Sequence, residues 1–528
     1  MQQGEQIRLG CTALGIELGS TRIKAVLIGK EHQVLAQGSF SWENCLENGL
    51  WSYRLDDAIR GLQESFADLR REVRTHYGVE LETVGALGVS GMMHGYLPLD
   101  AQGRQLAPFL TWRNTNTTQA AQILTERFGF NIPLRWSIAQ LYQAVLERQA
   151  HLERLDYITT LSGYIHYLLT GHRVIGVGDA SGMFPIDSAR MDYDAAMVRQ
   201  FDEMLQGKNY AWKLKDVLPK VLPAGAPAGY LTSEGARLLD PSGTLHAGIP
   251  MAPPEGDAGT GMVATNSVAA GTGNVSAGTS IFSMVVLERG LSRIYRDVDM
   301  VATPSGRPVA MIHCNNGTSE LDVWMQLFSK VLELCGGACS DTELYQRLFR
   351  ESRNAAADCG GVLLYNFISG EPIAGLNDGR PLLVRGGGSQ LTVGSFMRSQ
   401  IYAVFAALSM GMEILRKEQV HISRLTGHGG LFKTEEIAQR YLAAAMNAPV
   451  TVMQTAGEGG PYGMALLAAY LLENDGASLE DYLEQEIFAG VYGRSVEPDP
   501  DEVAGYRAYL ERYCEALPVE AKAVEHIS

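Results

Sequence analysis

Near its start the chain changes its apolar period twice, and each change predicts an element. Between Leu14 and Phe40 the order is strand, tight turn, strand, turn, strand: Gly15-Ile16-Glu17-Leu18, then Ile23-Lys24-Ala25-Val26-Leu27-Ile28, then Gln33-Val34-Leu35-Ala36, with Gly19-Ser20-Thr21 at the first turn. Short apolar runs broken by small turn residues predict an antiparallel meander. From Asp56 to Tyr77 the spacing lengthens to three and four, with Ile59, Leu62, Phe66, Leu69, Val73 and Tyr77 on one face. That predicts an amphipathic helix ended by Gly78. A buried-type strand follows over Val84 to Val89, and Ser90-Gly91-Met92-Met93-His94-Gly95 stands at its C-terminal end. In α/β architectures that end is where ligands bind, which singles out His94.

The second half repeats the opening. Ser267 to Thr272 and Asn274 to Val286 predict another meander, and its Gly278-Thr279 turn echoes Gly19-Ser20 at close to half the chain length, which suggests a duplicated domain. Two Pro- and Gly-rich stretches lie between the halves, Leu222 to Gly229 and Pro253 to Gly261, and predict a hinge near residue 260. Further on, Gln400 to Lys417 predicts a buried helix and Ile422 to Leu425 a strand, followed by Thr426-Gly427-His428-Gly429-Gly430-Leu431. A helix is then expected near Thr434 as N-cap, with Glu435 and Glu436 in its first turn. Gly457 to Gly463 opens another, with Pro461 in the first turn. The stretch beyond Val496-Glu497-Pro498-Asp499-Pro500 is expected to be peripheral.

Composition narrows the classes. At roughly 150 residues per domain, 528 residues allow several domains with large cores. Lys and Arg number 43 against 59 Asp and Glu, a net charge of −16 with no long run of like charge. A broad nucleic-acid surface is therefore not expected. The seven cysteines are scattered without a CxxC pair, so they are expected to be reduced and buried or inert, and no HExxH is present, which disfavours a zinc enzyme. With neither a leader pattern at Met1 to Glu5 nor an apolar run long enough to span a bilayer, the expectation is a cytoplasmic protein without a membrane partner.

Several segments could carry chemistry. The Gly19-Ser20-Thr21 turn, with Arg22 and Lys24 beside it, offers backbone N–H groups, hydroxyls and a cation to phosphate oxygens, although the same residues also make an ordinary hairpin turn. Ala277-Gly278-Thr279-Ser280 carries the same two readings. A phosphate held between two domains needs one such turn from each. Neither GxxxxGK[ST] nor GxGxxG occurs, so P-loop, protein-kinase and dinucleotide-binding readings lose their support. Asp257, in the expected hinge, could orient a hydroxyl and accept its proton during phosphoryl transfer, or bond its own turn. His94 reads as a ligand or a packed histidine. Trp112-Arg113-Asn114 supplies an aromatic face and polar donors suited to a polyol, or ends a surface strand. Gly427-His428-Gly429-Gly430 lets backbone approach a purine and ribose, or merely turns the chain.

In order along the chain, Gly15 to Thr21, Gly256-Asp257-Ala258-Gly259, Gly278-Thr279-Ser280, and Gly427 to Gly430 with Gly459 to Gly463 resemble the phosphate, catalytic and adenosine motifs of the FGGY carbohydrate kinases. Asp156-Tyr157-Ile158 through Leu169-Thr170-Gly171, and Gly178-Asp179-Ala180-Ser181-Gly182, resemble that family's N-domain pattern. The likeness covers roughly residues 12–490. It implies an α/β fold of two actin-like (ribonuclease-H-like) ATPase domains around a central cleft: a sugar-binding domain over 1–260, a nucleotide-binding domain over 261–490 and a peripheral tail over 491–528. The implied activity is phosphorylation of a small-molecule sugar by ATP and Mg²⁺. By position, Asp257 would be the base, Gly19, Ser20, Thr21, Lys24, Gly278 and Thr279 would hold phosphates, Gly429 and Gly430 would line the adenosine site, and Glu17 with Asp257 would meet the metal. Met93, His94, Trp112, Arg113, Asn114 and Asp257 would meet the sugar. The Met93-His94 pair most resembles the xylulose kinases, which favours a ketopentose such as xylulose or ribulose. A homodimer is left open.

Four departures bear on the pocket and the metal. Glu17 replaces the usual Asp, Met92 a polar residue, Asn114 an acid, and Gln140 stands near a usual Lys. Glu17 would still reach Mg²⁺ through water. Rival readings are a kinase for a hexulose, deoxy-sugar or polyol such as glycerol, a non-catalytic sugar or nucleotide sensor of the same fold, and a chaperone-type ATPase, the last opposed by the sugar-lobe segments.

Overall fold

The computed structural model describes all residues except 435, 454–458, 491–492 and 528. The predicted opening meander is present: β1 (Ala13–Leu18), β2 (Arg22–Ile28) and β3 (Val34–Ser41) run antiparallel. A small hairpin of β4 (Cys45–Glu47) and β5 (Leu50–Ser52) leads to α1 (Leu55–Tyr77). The three-four spacing buries Leu62, Phe66, Leu69 and Val73 of α1 under the sheet, and Gly78 ends the helix at φ 65°, a left-handed conformation suited to glycine. The chain then returns as β6 (Ala86–Gly91), parallel to β1. This strand runs further than its apolar pattern suggests, because Ser90 and Gly91 pair with Glu17 and Leu18. After α2 (Leu161–Thr170), the two-residue β7 (Glu255–Gly256) completes a sheet of order β7-β6-β1-β2-β3.

The second sheet repeats this layout. β8 (Thr272–Ala277) and β9 (Ile281–Val286) form the hairpin predicted around the Gly278-Thr279 turn, whereas 267–271 is not a strand; β10 (Asp299–Ala302) and β11 (Pro308–Cys314) follow. After α4 (Val393–Lys417) come β12 (Arg424–His428) and β13 (Val450–Val452), both added in parallel beyond β8, and β14 (Arg494–Val496) follows later. The order is β10-β11-β9-β8-β12-β13-β14, so β11-β9-β8-β12-β13 reproduces β3-β2-β1-β6-β7 in direction and connection. The duplication suggested by two hairpins thus extends over whole sheets.

Three expectations change, and part of a fourth lies outside the described residues. The hinge near residue 260 is instead α3 (Asp257–Ala264), with Asp257 as its first residue, because Gly256 takes an extended conformation and the helix can start at once. The helix expected at Thr434 is α5 (Ile437–Met446); the 3₁₀ turn Gly430–Lys433 intervenes, and Glu436 sits at φ 65°, outside the helix. Glu435 and the Gly457-Glu458 start of the glycine-rich segment lie outside the described residues, and α6 runs Gly459–Glu473 with Pro461 in its first turn. The tail is not peripheral. α7 (Pro500–His526) buries Tyr506, Tyr509 and Tyr513 in the second core, and its Glu502 takes two bonds, 2.9 and 3.1 Å, from the fully buried Arg398.

Between the sheets, α3 crosses α6 at backbone distance. A Cβ on Gly463 would strike the Thr260 carbonyl, and one on Gly15 would strike Pro461 and Ala465 of α6. α6 belongs by sequence to the second half but packs on β1 and β6 of the first sheet. The central core accordingly mixes Ala13 and Val26, Met262 and Val263, Met284 and Val286, and Met464 to Ala469. All seven cysteines are free, with Cys335 and Cys514 exposed rather than buried. No helix among the described residues is long and apolar enough to cross a membrane.

If α7 is integral to the second core, Tyr509→Ala will destabilise the protein by about 3–5 kcal/mol, the range for truncating a large buried aromatic. Urea unfolding followed by circular dichroism measures this; a loss within about 0.5 kcal/mol, the surface range, would return the tail to the periphery.

Candidate functional site

The cleft is built where β1, β6 and β7 end and α3 begins. As first residue of α3, Asp257 lies at the positive end of the helix dipole, and its Oδ1 accepts the Met93 N–H at 3.0 Å. Burial nevertheless raises its pKa to about 6. Glu17, near the end of β1, is pushed to about 8, first by burial and then by the charge of Asp257, with Lys24 across the hairpin opposing. Gly460 in the first turn of α6 is packed so closely against the Glu17 carboxylate that a Cβ there would collide with it. Two buried carboxylates, of which the charge of Asp257 raises Glu17, are a pair a hard divalent cation would discharge, and such a cation often keeps only one or two protein carboxylates, its other ligands being water and phosphate oxygens.

Two further acids lie behind them. Glu255 on β7 is buried and raised to about 8, its oxygens accepting the N–H groups of Asp179 at 2.8 Å and Gly178 at 3.2 Å. Asp179 is buried and raised to about 7, although Ser162 and Thr160 donate to its Oδ2 at 2.6 and 2.7 Å; its Oδ1 has no partner. Desolvation exceeds hydrogen bonding at both groups. Asp179 falls in the Gly178 to Gly182 segment and Glu255 two residues before Asp257; nothing in their spacing signals that they share one pocket.

The two turns are built alike. In the first, the Gly19 carbonyl accepts the Trp42 indole N–H at 2.7 Å and the Ser20 carbonyl accepts the Tyr53 hydroxyl at 2.6 Å, while Ser20 and Thr21 stay exposed. In the second, the Gly278 and Thr279 carbonyls accept the N–H groups of Thr318 and Gly317, both at 2.8 Å. Each turn is thus gripped by its carbonyls, and the Gly19 and Gly278 N–H groups close the hairpins on the Arg22 and Ser280 carbonyls at 3.0 Å, so it is the residues after each glycine that can offer N–H groups and hydroxyls to an anion. Gly429, at φ 102°, lies against Ala277 at the base of the second turn, where a Cβ would strike backbone, and Gly430 beside it has open space.

The expected sugar residues divide. Met93 contributes its backbone N–H to Asp257 and buries its side chain. His94, buried at φ 69°, has both ring nitrogens engaged: Nδ1 with the Gly182 carbonyl at 3.1 Å, Nε2 with Nε of Arg135 at 3.1 Å. The carbonyl can only accept and the guanidinium only donate, so the ring is the Nδ1–H tautomer; burial holds its pKa down at about 3. Trp112 and Arg113 are exposed, with Arg113 stacked 4.2 Å over Trp51. Asn114 departs from its expected place in the sugar site: it is buried and its amide exchanges two 2.8 Å bonds with the Trp51 backbone, so it fixes β5 rather than standing free for a ligand. Gln140 is also buried, its Nε2 toward Asn116 at 3.4 Å. The sequence reading overlooked Arg135 and Trp51, because their relevance arises from contacts across more than forty residues.

The raised acids give a pH signature. Asp179 holds its proton in the folded state up to about pH 7 but would release it near 3.8 when unfolded, so its stabilising contribution is complete below 3.8 and is lost as pH rises through 7. Asp179→Asn should therefore reduce the fall in melting temperature between about pH 5 and 8. Identical profiles for variant and wild type, followed by differential scanning calorimetry, would mean that Asp179 is ionised throughout.

Known proteins share this family and fold. The N-terminal domain of the FGGY family of carbohydrate kinases matches residues 12–263, and the C-terminal domain matches residues 273–472. A xylulose kinase of Haemophilus influenzae is 23% identical over 514 residues, 95% of this chain and 98% of its own length. Among solved structures, a ligand-bound xylulose kinase from Lactobacillus acidophilus has a TM-score of 0.78 at 17% identity, covering 98% of this chain and 100% of that one. A gluconate kinase from the same organism also reaches 0.78 at 17% identity, over 97% and 99%. The fold of these neighbours is the two-domain, actin-like and ribonuclease-H-like fold expected from the motifs. Both domain matches fall on the duplicated sheets and together take in most of the chain, which belongs to the FGGY family of carbohydrate kinases and is a sugar kinase.

Proposed function

We propose that this sugar kinase transfers the γ-phosphoryl group of ATP to a hydroxyl of a ketopentose such as xylulose or ribulose, with Asp257 as the base. The observation that carries this is the carboxylate of Asp257, anchored through one oxygen by the N–H of Met93, the residue before His94, and raised to about 6. A base is most useful when its pKa lies near the working pH, so that it is ionised and still takes a proton readily. The acceptor oxygen attacks the γ-phosphorus, its proton passes to Asp257, and the bond to the bridging oxygen breaks to release ADP. Most of the acceleration in such a reaction is positioning and charge neutralisation.

Phosphate placement falls to the two turns, Gly19-Ser20-Thr21 with Lys24 on one side and Gly278-Thr279 on the other, and Gly429 and Gly430 leave space for adenosine. Glu17 and Asp257 would hold Mg²⁺, which when bound supplies charge neutralisation on the phosphates. Similarity to the Haemophilus influenzae xylulose kinase along nearly both full lengths supports the ketopentose. A second reading, a kinase for a hexulose, deoxy-sugar or polyol, is favoured by the internal commitments of Asn114 and His94, which leave Trp112 and Arg113 as the exposed members of the expected sugar set.

Coupled measurement of ADP release from Mg·ATP over ketopentoses, hexuloses, deoxy-sugars and polyols tests the reading. We expect one ketopentose to stimulate release and Asp257→Asn to lower kcat by about 10²–10⁴-fold, the usual contribution of a general base, while calorimetry shows ATP still binding. Stimulation by a different class alone would replace the acceptor, and near-wild-type turnover in the variant would remove Asp257 from its role.

A further inference from the structure

The edge strand of the second sheet reaches into the first lobe at His94. β10 pairs with β11 along one side, and its residues engage the first lobe at two points. Asp299, at its start, forms an ion pair with Arg135, and the Ala302 N–H, at its end, donates to the Ser181 hydroxyl at 2.9 Å. Asn131 adds a bond to the Val298 carbonyl at 3.1 Å. Both anchor points on the first lobe adjoin the partners of His94: Arg135 donates to its Nε2, and Ser181 precedes Gly182, whose carbonyl takes its Nδ1–H. The imidazole therefore lies between Arg135, which the other lobe engages directly, and Gly182, whose neighbour Ser181 the other lobe engages.

Local structure does not by itself hold the ring there. His94 sits at φ 69°, a conformation that side-chain-bearing residues rarely adopt and that persists when its surroundings enforce it. A guanidinium can donate at the same time to a ring nitrogen and a carboxylate because its N–H groups form a rigid planar fork. His313, buried on β11 near Arg135, is held neutral, so the ion-pair partner of Arg135 among the described residues is Asp299, whose pKa burial raises and Arg135 opposes.

We infer that Arg135 and Asp299 are positioning residues for the acceptor: strand β10 of the second lobe completes the sugar site of the first by fixing Arg135, and through it the ring of His94. This rests on the reading that places the acceptor beside His94. It ties acceptor recognition to contact between the lobes, since Arg135 can meet Asp299 only when β10 is docked. The nucleotide side is not involved, and an effect on the acceptor without one on ATP is what distinguishes positioning from general damage to the fold.

Two measurements test it. In steady-state kinetics with the stimulating sugar, Asp299→Asn is expected to lower kcat/KM for the acceptor by on the order of a hundredfold, the scale of a small misplacement of a reacting group. KM for ATP should stay unchanged, Asp299→Glu should recover part of the loss, and Arg135→Lys, lacking the fork, should not. Combining Arg135→Ala with Asp299→Asn should cost no more than Arg135→Ala alone. Multiplying losses, or an equal change in KM for ATP, would overturn the proposal. The second measurement needs no acceptor: in the full chain labelled with ¹⁵N-histidine, the His94 ring signals, assigned by their loss in His94→Gln, are expected to shift in Asp299→Asn. Unmoved signals would overturn the proposal even if the sugar is phosphorylated, whereas shifted signals with no sugar accepted would sustain the clamp and refute the acceptor reading instead.

Discussion

The crossing of α3 and α6 between the two sheets is the contact on which the rest of the molecule depends. Helices whose side chains interdigitate keep their axes 8–10 Å apart, but here glycines at the contact bring backbone against side chain and backbone. Gly463 admits the Thr260 carbonyl, Gly460 admits Glu17, and Gly15 of β1 admits the first turns of α6. This crossing exchanges structure between the halves, because α6 follows the second sheet in sequence and packs on the first. It also places the beginning of both helices at one point, where Asp257 opens α3 and Gly460 faces Glu17. The position of the chemistry is therefore a consequence of how the lobes are joined.

That junction concentrates acid in a place with little water. Glu17, Asp179, Glu255 and Asp257 all have raised pKa values, and burial is the leading cause at each. Backbone N–H donors at Asp257 and Glu255 soften the penalty without removing it. An isolated cluster of this kind favours protonation; cations and substrate hydroxyls favour ionisation. The cost of keeping the acids buried is thus also what makes the cleft responsive to a bound divalent ion and to a hydroxyl that can give up its proton. Lys24, opposite Glu17 on the hairpin, lowers the cost for one member only.

The proposed acceptor side is less uniform than the two turns proposed to hold phosphate. Two turns of near-identical construction come from the duplicated sheets, each held by its carbonyls. The proposed acceptor side has no such duplication and is assembled from separate local segments: the turn after β6, the Gly178 to Gly182 segment, the segment that carries Arg135, and the hairpin of β4 and β5. Asn114 shows how such a region uses a polar residue for scaffolding, since its amide pins Trp51 and thereby sets the ring on which Arg113 stacks.

By itself the sequence determined the duplicated meanders, the amphipathic α1 with its Gly78 stop, both glycine turns and the family, because all of these are written in local period and in short motifs. Asp257 could be singled out for the same reason, but its setting could not: a Gly-rich flank reads as a hinge, whereas extended Gly256 lets a helix start at Asp257 and that helix crosses α6 at backbone distance. The tail was likewise misread. Its tyrosines look unremarkable along the chain and become core when α7 docks beside Arg398. Tertiary structure alone decided that Asn114 holds β5, that His94 has no free ring nitrogen, and that Arg135 and Asp299 meet. Those outcomes depend on distances between residues far apart in sequence and on the loss of solvent around them, and neither quantity is encoded in the spacing of residue types.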